Sequence, residues 1–183
     1  MKSYSELLDE FTKISEELDI LIRKFPAERR EEIIFDKWSL KNVVSHLNHW
    51  MVHDLDCLNA LLANKVPYWE PEVEEFNRKG VEARSNNNWD QVYFEFVELK
   101  NKLLNLYKEI PEDLRYKRIW PDKNETPEKF LEEDIKHWKD EHIYGLNKFF
   151  DENNKKVWDE LSEYGKKVAK KMNLKRDDDL IGL

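Results

Sequence analysis

Residues 38–62 read WSLKNVVSHLNHWMVHDLDCLNALL, and they carry the clearest helical pattern in the chain. Ser39 can cap the start of a helix, because its hydroxyl can accept a hydrogen bond from a backbone N–H of the first turn. Apolar residues then recur at three- and four-residue steps: Leu40, Val43, Val44, Leu47, Trp50, Met51, Leu58, Leu61 and Leu62. This period predicts a long amphipathic helix that buries one face against other helices.

The same period recurs in three other long segments. It runs from Tyr4 to Phe25 before Pro26, from Trp89 to Ile110 before Pro111, and from Pro127 to Phe149 after a capping Thr126. A weaker helical segment is predicted from Glu72 to Arg84. Four long helices with one long connection between the second and third predict an all-α four-helix bundle over residues 1–150. Residues 151–183 are predicted to form an amphipathic C-terminal helical extension, packed on the bundle or docked on a second subunit or partner.

Composition excludes several classes of protein. The 183 residues are 40% hydrophobic and 38% charged with only 4 glycines, which is typical of a helical globular protein. The net charge of −8 argues against nucleic-acid binding, which needs a basic surface. Cys57 is the only cysteine, so no intramolecular disulfide forms. Because no apolar run has the length of a membrane span and no signal peptide begins the chain, we expect a cytoplasmic protein without a membrane partner.

The histidines lie in two groups that face each other in such a bundle. His46 lies about 100° from Leu47, the centre of the second helix's apolar face, and His142 lies about 40° from Trp138 on the fourth helix. Side chains that converge from facing helices are how bundles build metal sites, and imidazole suits zinc, nickel, copper and iron. The third ligand stays open. The candidates are His137, His49, Asp134 and Glu141.

A carboxylate also lies on the buried face of the second helix. Asp54 is about 20° from the centre of the apolar stripe, where an isolated charge would cost several kcal/mol. We therefore expect a polar pocket between helices, with Asp54, Trp50 and Trp138 as candidate substrate-pocket residues. The alternative is a carboxylate that a Tyr, Trp or Lys of a neighbouring helix satisfies.

Three motifs resemble the DinB/YfiT-like four-helix bundles, possibly their ClbS/DfsB-like branch. WSLKNVVSHLNHW (38–50) is similar to the family's W-S-x-x-D-V-x-x-H-L-x-x-W signature, and EEFNRKGVEARSNNNWDQVYFEFVELKNKLL (74–104) to its middle segment. DIKHWKDEHIYGLNKFF (134–150) resembles its closing D-T-W-K-H-Y-x-E-H-I motif. The resemblance implies an up-down-down-up bundle and a divalent metal, such as nickel, zinc or iron, held by three histidines.

Residue by residue, the resemblance assigns two of those ligands. His46 matches the histidine of the H-L motif, and His142 matches the last histidine of H-x-x-x-H. The remaining position falls on Trp138, with His137 displaced by one residue. Five residues separate His137 from His142, and in an α-helix such a pair diverges around the axis.

The family implies two functional readings. In the first, the protein acts on a small reactive or thiol-linked molecule between its helices, for example as a metal-dependent thiol S-transferase or a hydrolase-like enzyme with a low-molecular-weight thiol as partner. In the alternative, it is a non-catalytic, stress-associated or binding bundle whose degenerate, metal-free site is filled by Trp138. Relatives of this kind often form dimers, so we expect a homodimer, with a monomer as the alternative.

Overall fold

The computed structural model describes residues 2–68 and 72–160, and this part of the chain is predominantly helical. The helices are α1 (Tyr4–Lys24), α2 (Leu40–Leu62), α3 (Val73–Glu82), α4 (Trp89–Glu109), α5 (Pro127–His137) and α6 (Tyr144–Glu160). A π-helical turn, Trp138–Ile143, joins α5 to α6 and is called the π segment below. The strands described are β1 (Ile33–Phe35) and β2 (Trp38–Ser39), which form one antiparallel pair. The all-α class is confirmed.

Helix boundaries follow the capping signals of the sequence. The Ser3 and Ser39 side chains each accept from the backbone N–H three residues on, and α1 ends two residues before Pro26. Asn88 caps α4 in the same way, and Thr126 caps α5 with Pro127 in the first turn. The short stretch before α2 is extended rather than helical, and it turns at Asp36 with a φ of 55°. This hairpin delivers Ser39 to its capping position.

Packing brings α2 and the last helix toward a common interior. α1 packs against α4, α5, the π segment and α6, while α2 packs against α3 and α4. One continuous apolar cluster draws on all the long helices, with Phe11, Leu47, Phe96 and Leu131 among its fully enclosed members. α3 crosses α2 closely at Gly80, where a Cβ atom would lie 2.6 Å from Cβ of His49.

The last helix continues past the predicted domain boundary. α6 runs without interruption to Glu160, so residues 150 and 151 lie within one helix. Residues 161–183, which hold most of the predicted C-terminal extension, lie outside the described residues. Every helix within 2–68 and 72–160 is too polar or too short for a membrane span.

Candidate metal centre

Three imidazoles converge between α2 and the last helix. Nε2 of His137 lies 3.1 Å from Nε2 of His46 and 3.0 Å from Nε2 of His142. Ligand atoms of the three side chains all lie within 4.8 Å of one another, and in the described part of the chain no other group of three or more His, Cys, Asp or Glu is arranged in this way. His46, His137 and His142, called the histidine triad below, are therefore close enough to hold one metal ion.

The π segment makes this convergence possible. In an α-helix, residues five apart differ by about 140° around the axis, and His137 would face away from His142. A π turn accommodates one extra residue, so the pair behaves like residues four apart, which differ by about 40°. The expected divergence of these two histidines is therefore wrong, because it assumed a regular α-helix.

The same turn changes which residue faces the core. In a regular helix His142 would lie near the centre of the buried face. The π segment instead rotates it to the flank beside His137, and Ile143, 5% exposed, takes the core position. Trp138 is 1% exposed, with ring centroids 4.9 Å from Phe11 and 6.1 Å from Phe96. It lies in the apolar core, away from the triad.

Burial keeps the triad uncharged. Removal from water is the largest effect on each imidazole and lowers the pKa of His46 to about 3. The pKa of His142 lies well below its usual range because of burial and the neighbouring histidines. Burial also lowers the pKa of His137, with Glu141 and Asp54 acting in the opposite direction. Neutral imidazoles have the free lone pairs that metal binding requires.

Hydrogen bonds alone do not satisfy this arrangement. An imidazole nitrogen carries either one hydrogen or one lone pair, so Nε2 of His137 cannot form two good hydrogen bonds to two other Nε2 atoms. Nδ1 of His46 is enclosed and has no hydrogen-bond partner within the described part of the chain. A tetrahedral ion with bonds of about 2.0–2.1 Å separates its nitrogen ligands by about 3.3–3.4 Å, and adjacent octahedral positions are about 2.8–3.0 Å apart. Two contacts of 3.0 and 3.1 Å to the same nitrogen exceed what hydrogen bonding can supply, and nitrogen ligands that share one cation lie at similar separations.

A cavity of about 380 Å³ opens beside His46 and His137. Its described wall consists of His46, Trp50, His53, Asp54, Val73, Asn77, Glu125, Phe130, Glu133, Asp134, His137 and Glu141, and it is called the acidic cavity below. The predicted pocket residues Asp54 and Trp50 belong to this wall, whereas Trp138 does not. His142 borders a different cavity of about 620 Å³, so the triad separates two openings.

Two carboxyl groups meet at the wall of the acidic cavity. Asp54 and Asp134 are 6% and 8% exposed and hydrogen-bonded to each other. Burial, followed by the charge of Asp54, raises the pKa of Asp134 well above its usual range, which favours a proton held between the two carboxyl groups. The Tyr107 hydroxyl donates to Oδ2 of Asp134 at 2.7 Å, and Nδ1 of His53 lies 3.0 Å from Oδ1 of Asp54. The pair thus shares one proton next to the triad.

The other candidate ligands lie elsewhere. The ring of His49 packs against Phe76 of α3, with centroids 4.2 Å apart. Glu141 is exposed, with Oε2 3.8 Å from Nε2 of His137. Cys57 is buried, and burial followed by the charges of Asp54 and Asp56 raises the pKa of its thiol to about 12. It is thus a small core residue, as its position in the helix predicts.

Two residues of the site, Tyr107 and Asn77, were not predicted from the sequence. Tyr107 is fully enclosed and lies between Leu103 and Ile110 at helical spacing, a signal that could have placed it in the core. Asn77 lies on α3 and accepts a hydrogen bond from Nε1 of Trp50 at 3.0 Å. No spacing within one helix could bring it to Trp50, because that contact depends on how α3 crosses α2.

Neither a protein-family model, nor a curated protein, nor a solved structure matches the chain. The resemblance to the DinB/YfiT-like bundles therefore stays a prediction. Because one fold can carry many functions, the function must be inferred from the site itself.

Proposed function

We propose that this protein is a metal-dependent, DinB-like four-helix bundle that acts on a small reactive or thiol-linked molecule in the acidic cavity. The observation that carries the proposal is the convergence of three neutral imidazoles at the wall of a cavity. The triad would hold a nickel, zinc or iron ion, and the chemistry that such an ion supplies is Lewis-acid polarisation of a substrate group.

The π segment also bears on the proposed family. If the chain carries one inserted residue relative to the family's H-x-x-x-H motif, His137 and not Trp138 takes the place of the second ligand. The π turn would absorb that insertion, as single-turn π segments at functional sites often do. The reading of a degenerate site loses its main support, because Trp138 packs in the core.

The acid pair gives the cavity a means of moving a proton. The raised pKa of Asp134 favours a proton shared with Asp54, and the Tyr107 hydroxyl donates a hydrogen bond to Oδ2 of Asp134. A carboxylic acid kept neutral by burial can donate a proton to a leaving group or hydrogen-bond to an anionic intermediate. We assign this role to Asp134, with Tyr107 and His53 as positioning residues.

Metal content tests the proposal most directly. Protein expressed without an affinity tag should retain about one equivalent of nickel, zinc or iron, or bind added nickel with that stoichiometry in calorimetry. His46→Ala should weaken nickel binding by more than the about 100-fold that loss of an outer-shell partner costs. His49→Ala is the matched control, since His49 lies on the same helix outside the triad, and it should bind nickel like the wild type.

Activity is tested on the same variants. Metal-loaded protein is incubated with a low-molecular-weight thiol and a chlorodinitrobenzene electrophile, and loss of free thiol is measured. Conjugation that His46→Ala removes and His49→Ala retains would support the transferase reading. Tag-free protein that neither contains nor binds metal, or nickel affinity equal in His46→Ala and wild type, would refute the metal centre.

Assembly is a separate part of the proposal. The homodimer and the cytoplasmic location stay predictions. Light scattering over a wide concentration range tests the dimer, and a constant mass of 22.3 kDa would refute it.

A further inference from the structure

The wall of the acidic cavity is unusually one-sided in charge. Five acidic side chains line it: Asp54, Glu125, Glu133, Asp134 and Glu141. None of the described residues that line it is a lysine or arginine. The negative charges repel one another: burial, followed by the charges of Glu125 and Asp54, raises the pKa of Glu133. Clefts lined by one sign of charge concentrate ligands of the opposite sign.

The acidic cavity would keep a net negative charge with a metal ion bound to the histidine triad. Asp54 and Asp134 share a proton through their hydrogen bond, so the five acidic side chains carry at most four negative charges. The imidazoles of the triad are neutral, so a divalent ion would offset only two of those charges. The larger cavity beside His142 differs in this respect, because Lys37 and Lys148 line it together with its acidic residues.

Within the described part of the chain, one carboxylate of the cavity wall, Glu125, is incompletely hydrogen-bonded. Oε2 of Glu125 is enclosed and has no hydrogen-bond partner among the described residues. An enclosed carboxylate oxygen without a donor costs free energy, and an ammonium group would supply the missing hydrogen bond.

Aromatic rings contribute to the rest of the wall. The Phe130 and Trp120 ring centroids lie 6.0 Å apart, and Trp50 packs against Phe76 at 4.6 Å. Both Trp50 and Phe130 border the cavity. Aromatic faces attract organic cations as well as apolar groups. A volume of about 380 Å³ suits a small organic molecule.

We propose that the acidic cavity selects small aromatic or apolar amines, with the ammonium group at Glu125 and Asp54 and the apolar part against Trp50 and Phe130. This inference rests on the proposed function, because it takes the acidic cavity to be the substrate site. It narrows the substrate class to cationic molecules and disfavours thiols that carry several carboxylates.

Three probes of similar size and different charge test the selectivity. They are phenylethylamine, phenylethanol and phenylpropionate, titrated at neutral pH against tag-free protein with tryptophan fluorescence as the readout. We expect the amine to bind about tenfold more tightly than the alcohol, and the alcohol more tightly than the carboxylate. Each titration is run on metal-free and nickel-loaded protein, which separates amine coordination to nickel from binding by the acidic wall.

Matched variants locate the binding. Glu125→Gln should weaken amine binding about five- to tenfold and leave alcohol binding unchanged. Glu152→Gln, on the wall of the larger cavity, is the control and should change neither. Equal affinities for the three probes, a preference for the carboxylate, no binding of any probe, or an unchanged amine affinity in Glu125→Gln would each overturn the inference.

The outcomes separate the two proposals. If nickel does not bind but the metal-free protein still prefers the amine, the metal centre fails and the selectivity stands. If nickel binds to the triad and the carboxylate is preferred, the metal centre stands and the selectivity fails.

Discussion

Deletion of Asp140 should preserve the metal site, whereas insertion of one alanine after Asp140 should destroy it. Asp140 is exposed and lies within the π segment. Without it, His137 and His142 are four residues apart, and a regular α-helix places them about 40° apart on one face. That is the relation that the π turn produces in the native chain, so the helix on either side keeps its packing.

The insertion has the opposite effect. One more residue than the π turn absorbs rotates His142 by about a further 100° relative to His137. Two perturbations of equal size therefore have opposite predicted results. The deletion also restores about one regular backbone hydrogen bond, so the free energy of unfolding should change by no more than about 1 kcal/mol.

The assay is nickel titration by calorimetry, with thermal unfolding in parallel. Nickel at about 100 times its dissociation constant stabilises the folded state by about 2.7 kcal/mol. For a chain of this size, that shift raises the midpoint of thermal unfolding by about 5–11 °C. Wild type and the deletion variant should both show this shift, and the insertion variant should not. A folded deletion variant that fails to bind nickel, or an insertion variant that binds it normally, would refute the role of the π segment.

Three further predictions concern stability. Acid should destabilise the metal-free protein. In the unfolded chain His46 takes up a proton below about pH 6.5, whereas in the folded protein the pKa of His46 is about 3. Above about pH 6.5 this loss is absent. At about pH 5, His46 alone should lower the free energy of unfolding by about 2 kcal/mol, measured by urea denaturation. A free energy of unfolding that does not change over this pH range would contradict the expectation. Trp138→His should lower the free energy of unfolding by about 3 kcal/mol or more, because it removes a large core ring. Added nickel should raise the midpoint of thermal unfolding of this variant no more than that of the wild type. A larger rise would mean that position 138 does reach the metal. Gly80→Ala should lower the free energy of unfolding by about 1–2 kcal/mol, because the new Cβ would collide with His49. Gly145→Ala should be neutral or stabilising in the same denaturation experiment, because its Cβ would lie 3.9 Å from the nearest atom, on Phe35.

The long helices, most of their boundaries and part of the site follow from local patterns in the sequence. Apolar residues at helical spacing and the caps at Ser39 and Thr126 are local signals, so they can be interpreted without knowing what packs where. The burial of Asp54 followed from its angle within the stripe of α2, and so did the position of His46 beside the core. These predictions hold because α2 is a regular helix throughout.

Only the tertiary structure decided that His137 completes the triad. The helical wheel assigns 100° to every residue and therefore fails where a chain departs from the α-helix. Trp138 and Ile143, at the two ends of the π segment, both pack in the core, Trp138 against the sequence-distant Phe11, and this packing stabilises the departure from the α-helix. The contacts of Asp54 with Asp134, and of Asp134 with Tyr107, likewise join three helices, and no spacing within a single helix specifies how close such groups come.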